Sequence, residues 1–260
     1  MRFVFSDYAG ATWSPFPAGL PAGPDCLHNI NLDYATADAL YASTCQGLKR
    51  LSGNNWIAVS SQETWAVAVV YKQPSILWAI STPEKGGVVV RSKDAGATWI
   101  PADNGLGNFS GVANLAVDPH DANTLYAIIN PKYAGSYLRR GNANGQWQTM
   151  HTPLNDNVIE TGMTIDGASG ALYLTTAEYS ASTQGHWQMW RSLNPSAPDL
   201  NAVKWELVHD FGAGPRVVLL ASGTRPQGLE LYAQFLPLDG DAYVQRSLDG
   251  GQTWAKMEIR

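Results

Sequence analysis

The chain has 260 residues and a formal net charge of −5, and only 15% of its residues are charged. It has no block of basic residues and no run of about eighteen apolar residues, which argues against nucleic-acid binding and against a membrane span. Glycine, tryptophan and tyrosine are plentiful, a composition that favours short strands and tight turns over long surface helices.

Tryptophans in equivalent surroundings recur along the whole chain and mark the ends of successive repeats. They are Trp13, Trp56, Trp99, Trp147, Trp205 and Trp254. A second phrase precedes five of them and reads ALYAS (39–43), ILWAI (76–80), TLYAI (124–128), ALYLT (171–175) and ELYAQ (230–234). Since helical periodicity is nowhere sustained, we predict that the chain is all-β.

Each repeat divides into four predicted strands. In one repeat they cover 112–118, 124–129, 136–140 and 146–151, and in the last they cover 216–223, 229–235, 242–247 and 253–259. Four strands in about 40 to 50 residues are typical of one blade of a β-propeller. We therefore predict a β-propeller of four-stranded antiparallel blades that forms a single domain over residues 1–260.

The first repeat starts in the middle of a blade. MRFVFS corresponds to a third strand and ATWSPF to a fourth, and the C-terminal repeat already has four strands of its own. We therefore expect about six blades with the first one incomplete. The sequence is expected to be truncated at its N-terminus.

Two octets share the pattern Ser-x-Asp-x-Gly-x-Thr-Trp. The first consists of Ser92, Asp94, Gly96, Thr98 and Trp99, and the second of Ser247, Asp249, Gly251, Thr253 and Trp254. Both lie between a third and a fourth predicted strand, where the chain reverses direction. Side-chain oxygens of Ser and Asp can accept backbone N–H bonds in such a turn, and Gly adopts backbone conformations that other residues resist. We therefore interpret the octets as structural turns.

The octets resemble the Asp box, or BNR repeat, and the companion strand phrases are similar to those of Asp-box propellers. That family includes sialidases, xyloglucanase-type glycoside hydrolases, sortilin-like receptor domains and photosystem II assembly-factor-like proteins. The resemblance implies a propeller fold, places the octets on the face opposite the ligand-binding funnel, and leaves the function open.

Loops on the predicted funnel face carry the candidate functional residues. The carboxylates are Glu84, Asp103, Asp156, Glu160, Glu178, Asp239 and Asp241, and the candidate ligand-binding residues are Tyr133, Tyr179 and Arg216. A glycoside hydrolase needs two carboxylates that flank one bond, but the sequence selects no pair. Because only Arg216 of the arginines clearly enters from this face, the three-arginine clamp that the resemblance implies for a sialidase is not expected.

The leading hypothesis is a non-catalytic propeller that binds a protein or a glycan through its funnel loops. The alternative is a xyloglucanase-like glycoside hydrolase that uses two funnel carboxylates as acid and base. The five histidines and two cysteines show no metal-ligand spacing, so we expect neither a metal nor a cofactor.

The two cysteines, Cys26 and Cys45, flank the first predicted hairpin and face each other across its two antiparallel strands. They either form a disulfide or remain as two partly buried free thiols. A disulfide favours an extracellular or secreted location. The N-terminal residues MRFVFSDYAG, however, contain too short an apolar stretch for a signal peptide.

Overall fold

We examined the fold in a computed structural model, which describes residues 4–5, 14–15, 20, 27–32, 40–70, 73–81, 88–106, 109–131, 137–150, 152, 158–180, 183–225 and 228–257. In these ranges the regular structure is strand, apart from one short 3-10 helix at Leu200–Ala202. The all-β prediction is therefore confirmed. Within the same ranges, no helix has the length and apolar character that crossing a membrane requires.

The first of two compact units extends to Ala102 and contains two four-stranded antiparallel sheets and one pair of short strands. The pair consists of β1 (Val4–Phe5) and β2 (Ser14–Pro15). Blade 1 consists of β3 (Leu27–Leu32), β4 (Leu40–Thr44), β5 (Gly47–Ser52) and β6 (Asn55–Ala58). Blade 2 consists of β7 (Thr64–Val70), β8 (Gln73–Ser81), β9 (Val88–Ser92) and β10 (Ile100–Pro101).

The second unit runs from Asp103 to Met257 and contains three further four-stranded sheets. Blade 3 consists of β11 (Phe109–Val117), β12 (Thr124–Pro131), β13 (Tyr137–Asn142) and β14 (Trp147–Thr149). Blade 4 consists of β15 (Val158–Ile165), β16 (Leu172–Ser180), β17 (Thr183–Ser192) and β18 (Glu206–Ala213). Blade 5 consists of β19 (Arg216–Arg225), β20 (Gly228–Leu236), β21 (Tyr243–Ser247) and β22 (Ala255–Lys256).

The chain therefore has a β-propeller fold with five four-stranded blades. The prediction of about six blades is wrong, because the N-terminal segments that we counted as an incomplete blade form only the two-residue strands β1 and β2, which pair with each other. The predicted extent of a single domain and the predicted N-terminal truncation stay predictions.

The second strand of each blade pairs an aromatic residue with an arginine of the third strand. The pairs are Tyr41–Arg50, Trp78–Arg91, Tyr126–Arg140, Tyr173–Arg191 and Tyr232–Arg246. The Arg91 guanidinium lies 4.9 Å from the centroid of the Trp78 ring, and that of Arg191 lies 6.0 Å from the centroid of the Tyr173 ring. Such cation–π contacts stabilise the blade from within, so Arg91 and Arg191 serve the fold.

The inner strands of blades 4 and 5 approach each other closely at Gly162 of β15. A Cβ atom on Gly162 would lie 2.6 Å from the backbone nitrogen of Leu219 and 2.7 Å from its carbonyl oxygen. Thr175 Oγ1 donates to the Gly162 carbonyl at 3.3 Å and accepts from the Leu219 N–H at 3.2 Å. Apolar side chains that include Trp187 and Phe235 fill the space between the two blades.

Candidate functional site

The first octet forms a hydrogen-bonded turn between β9 and β10. Ser92 Oγ donates to Asp94 Oδ1 at 2.7 Å and accepts from the Gly96 N–H at 2.8 Å. Asp94 then accepts from the Thr98 N–H at 2.8 Å and from the Thr98 hydroxyl at 2.6 Å. These bonds from Thr98 lower the pKa of Asp94 to about 2. Gly96 has φ +92, a conformation that favours glycine.

The second octet repeats this geometry between β21 and β22. Asp249 accepts from the Thr253 N–H at 2.9 Å and from its hydroxyl at 2.6 Å, and Gly251 donates to Ser247 Oγ at 2.7 Å. The Trp254 indole N–H donates to the Gly251 carbonyl at 3.0 Å. Hydrogen bonds from Thr253 lower the pKa of Asp249 to about 2 as well. Each of these hydrogen bonds joins two groups of the same turn.

Two further turns use an asparagine where the octets have an aspartate. In each, the asparagine side chain accepts from the N–H of the residue directly before the tryptophan that ends the repeat. In blade 3, Asn142 Oδ1 accepts from the Gln146 N–H at 3.2 Å, directly before Trp147. In blade 4, Asn194 Oδ1 accepts from the Lys204 N–H at 2.9 Å, directly before Trp205. The sequence did not reveal the blade 4 turn, because an insertion separates its asparagine from its tryptophan.

We expect the Asp249→Asn variant to be less stable than the wild type at pH 7 by about 1 kcal/mol, because an amide replaces the carboxylate that accepts from Thr253. The folded pKa of Asp249, about 2, lies below its unfolded value of about 3.9. Its contribution to stability is therefore present above about pH 4 and is lost as the pH falls toward 2. The difference in urea midpoint between the two proteins should accordingly shrink between pH 4 and pH 2.

Asp239→Asn is the matched control for this experiment, because Asp239 is exposed in the loop between β20 and β21. Its urea midpoint should follow that of the wild type at each pH. A difference in urea midpoint between Asp249→Asn and the wild type that stays constant from pH 7 to pH 2 would contradict the proposed contribution of the ionised Asp249.

The structure describes only some of the predicted funnel residues. Glu84, Asp156 and Tyr133 lie outside the described residues, and only the backbone is described at Glu160 and Tyr179. Glu178, Asp239, Asp241 and Arg216 are exposed and Asp103 is half-buried. Asp239 and Asp241 share one loop, whereas Glu178 lies near the end of β16 and Asp103 follows β10. The described candidate carboxylates therefore come from three separate parts of the chain, and their roles stay predictions.

His186 and Asp210 form a hydrogen-bonded pair next to Glu178. Glu178 is the cross-strand neighbour of His186, and His186 Nε2 lies 2.7 Å from Asp210 Oδ1. Burial opposes the ionised form of Asp210, but the Gly212 N–H bond and the neighbouring His186 outweigh it and lower the Asp210 pKa. This exposed hydrogen bond connects β17 to β18.

A cleft of about 490 Å³ lies between blades 4 and 5. Its lining residues are His209, Asp210, Phe211, Pro215, Val217, Phe235, Tyr243, Gln245, Gln252, Thr253 and Trp254. They come from β18, the start of β19, the end of β20, β21 and the second octet. The cleft therefore draws on strands of both blades and on the turn of the second octet.

Aromatic rings in mutual contact form the wall of this cleft. The centroid of Phe211 lies 4.6 Å from that of His209, 5.6 Å from that of Phe235 and 5.7 Å from that of Trp254. Tyr243 stacks on Phe235 with centroids 5.3 Å apart. Rings held by several neighbours lose little freedom when a ligand packs on them, so the wall is preorganised for an apolar group.

Polar groups surround the aromatic wall. His209 Nδ1 lies 2.9 Å from the carbonyl oxygen of Gln252. Because a carbonyl only accepts hydrogen bonds, this contact places a proton on Nδ1 of His209. Together with Asp210 and the amides of Gln245 and Gln252, the cleft offers hydrogen-bonding partners around an apolar centre. This combination is typical of recognition sites.

Sequence reasoning missed most of this cleft. It assigned Trp254 a structural role. It placed residues 210–215 and 235–242 among the funnel loops, but it did not select Phe211, Phe235 or Tyr243 as candidate residues. The signal available in the sequence was the density of aromatic residues between 205 and 254, but their convergence depends on how two blades pack.

Cys45 is disulfide-bonded and is exposed in the turn between β4 and β5. The register pairs Leu27 with Thr44, the residue directly before Cys45. The predicted partner, Cys26, lies outside the described residues, and the pairing of the two cysteines stays a prediction. Among the described side chains, no group of three or more His, Cys, Asp or Glu residues is arranged to hold a metal ion.

Comparison with known proteins supports the fold and leaves the family open. No protein-family model matches the chain, and no curated protein matches its sequence. Among solved structures, TolB from Acinetobacter baumannii superposes with a TM-score of 0.60 at 10% identity, over 97% of this chain and 58% of that one. Oligogalacturonate lyase from Vibrio parahaemolyticus gives a TM-score of 0.50 at 9% identity, over 100% of this chain and 60% of that one.

A third similar structure is YCF48 bound to a D1 peptide, with a TM-score of 0.48 and 14% identity over 89% of this chain and 81% of that one. The chain thus spans somewhat more than half the length of the TolB and lyase structures. At these identities the TolB and lyase similarities show a shared propeller fold and nothing further about this chain.

Proposed function

We propose that this protein is a non-catalytic β-propeller that binds a segment of a partner protein in the cleft between blades 4 and 5. The observation that carries the proposal is the contiguous wall of Phe211, Phe235, Tyr243 and Trp254 with hydrogen-bonding groups at its rim. Aromatic pockets of this kind accept a single large apolar side chain, and such anchors dominate the free energy of protein–protein binding.

The carboxylates favour recognition over glycoside hydrolysis. Hydrolysis requires two carboxyl groups roughly 5 to 10 Å apart across the scissile bond. Asp210 is the carboxylate that lines the cleft in the described part of the chain, and it is bonded to His186 and to the Gly212 N–H. The lowered pKa of Asp210 also suits an ionised partner better than a proton donor at neutral pH.

We further propose that the octets act as structural turns of an Asp-box type, as the sequence resemblance implies. Their support is the internal hydrogen bonding of Asp94 and Asp249, which uses both carboxylate oxygens within the turn. A Cys26–Cys45 disulfide would place the protein in an oxidising, secreted or extracellular setting.

Selection from a random peptide display library tests the proposed function, with the Gln245→Trp variant used for counter-selection because its indole would fill the cleft. We expect the wild type to enrich peptides that share one large apolar residue and that the variant does not retain. A glycan array and hydrolysis assays on β-glucans run in parallel. Glycan binding that Gln245→Trp abolishes, turnover of a β-glucan, or failure to enrich any peptide would overturn the proposal.

A further inference from the structure

We propose that the bound segment adds to blade 4 as a fifth strand, pairing with the outer edge of β18. This inference rests on the proposed function, because it assigns the conformation of the segment whose anchor side chain enters the cleft. In the described part of the chain, β18 pairs with β17 on one side and with no strand on the other.

The length of β18 distinguishes blade 4 from the other blades. The outer strand β18 has 8 residues, whereas the outer strands β6, β10, β14 and β22 have 4, 2, 3 and 2. Short edge strands are one device by which proteins prevent unwanted strand pairing. Four blades have short outer strands and blade 4 does not, so β18 presents a longer edge of N–H and C=O groups than the other outer strands do.

Exposure along β18 agrees with an accessible edge. Every residue of the strand is exposed or half-buried, and none is buried. His209, Asp210 and Phe211 of this strand also line the aromatic cleft. Since side chains alternate between the two faces of a sheet, every second residue of an added strand would point toward the cleft side. Strand pairing and insertion of an anchor are therefore compatible in one extended segment.

The occupant that fits is a flexible, extended segment of a different protein with one large apolar side chain. A second copy of this chain fits poorly. The apolar β18 residues Val208 and Phe211 already pack against the core between blades 4 and 5, so they are not available to fill a partner's cleft. The exposed Leu207 is the cross-strand neighbour of Trp190 and lies with it on the other face.

Two irregularities in the pairing of β17 with β18 also favour a flexible segment over a second copy of this chain. The register shifts between Trp187 and Gln188 and again between Met189 and Trp190. Bulges increase the local twist of a strand and hinder its pairing with another preformed sheet. A short flexible segment can follow this twist, whereas the edge of a folded sheet cannot.

Backbone N-methylation of a peptide selected from the display library tests strand addition, because each methyl group removes one N–H donor. We expect N-methylation at alternate positions to weaken binding at least tenfold and N-methylation at the intervening positions to have little effect. The same peptide should bind Gln245→Trp much more weakly than the wild type.

The outcomes separate the two proposals. If N-methylation weakens binding without alternation while Gln245→Trp still abolishes it, strand addition is wrong and recognition by the cleft stands. If the peptide binds Gln245→Trp as well as the wild type, the proposed function itself is wrong. If the wild type is a dimer by light scattering and the peptide dissociates it, the edge belongs to a second copy and the inference is overturned.

Discussion

Replacement of Gly162 by alanine is expected to lower the free energy of unfolding by about 3 kcal/mol, the upper part of the range for overpacked sites. The new Cβ would lie 2.6 Å from the Leu219 nitrogen and 2.7 Å from its carbonyl oxygen. These are backbone atoms of a central strand, so the clash cannot be relieved by the rotation of a side chain. Blades 4 and 5 would have to separate, with loss of the hydrogen bond from the Leu219 N–H to Thr175 Oγ1 that joins them.

Gly223→Ala on β19 is the matched control, because a Cβ at Gly223 meets no atom within 4 Å. Its stability should stay within about 0.5 kcal/mol of the wild type or rise slightly. Urea unfolding monitored by tryptophan fluorescence measures both variants. Equal stability of Gly162→Ala and Gly223→Ala would show that the close approach of the two blades has been misjudged.

Loss of the central ring of the cleft is expected to weaken peptide binding about 30-fold, the effect of a binding hot spot of about 2 kcal/mol. Phe211 contacts His209, Phe235 and Trp254 and so lies at the centre of the aromatic wall. Phe211→Ala removes the surface on which an anchor packs. Calorimetry with a selected peptide measures the change in affinity.

Two further variants separate binding from stability. Gln245→Trp adds a ring to the cleft from a half-buried position on β21, and it should abolish binding while the protein remains folded. Leu238→Ala changes a side chain that is 79% exposed and does not line the cleft, and it should bind as the wild type does. If Phe211→Ala and Gln245→Trp both bind like the wild type, the cleft is not the recognition site.

The sequence predicted the blades well because their signals are local. The phrase TLYAI became β12, whose side chains from Leu125 to Ile129 are buried, and the octets lie where third strands meet fourth strands. The blade count failed because strand-like patterns around residues 4 and 14 were assigned to a blade, although they form only a two-residue pair.

The candidate site could not be predicted from the sequence, and the reason is physical. Phe211 and Trp254 belong to different blades, and their rings meet only because blades 4 and 5 pack face to face through Trp187, Val217 and their neighbours. No local pattern encodes that contact. The unusual length of β18 was equally hidden, because its residues do not alternate strictly between apolar and polar and its register with β17 shifts twice.

Hydrogen–deuterium exchange of the protein with and without a selected peptide is the most direct test of recognition at the cleft. We predict that binding slows amide exchange in residues 206–213 of β18 and around residues 243–254, which line the cleft, and leaves blades 1 and 2 unchanged. Slower exchange confined to the loop at 237–242 or to the first unit, with β18 unaffected, would contradict the proposed site.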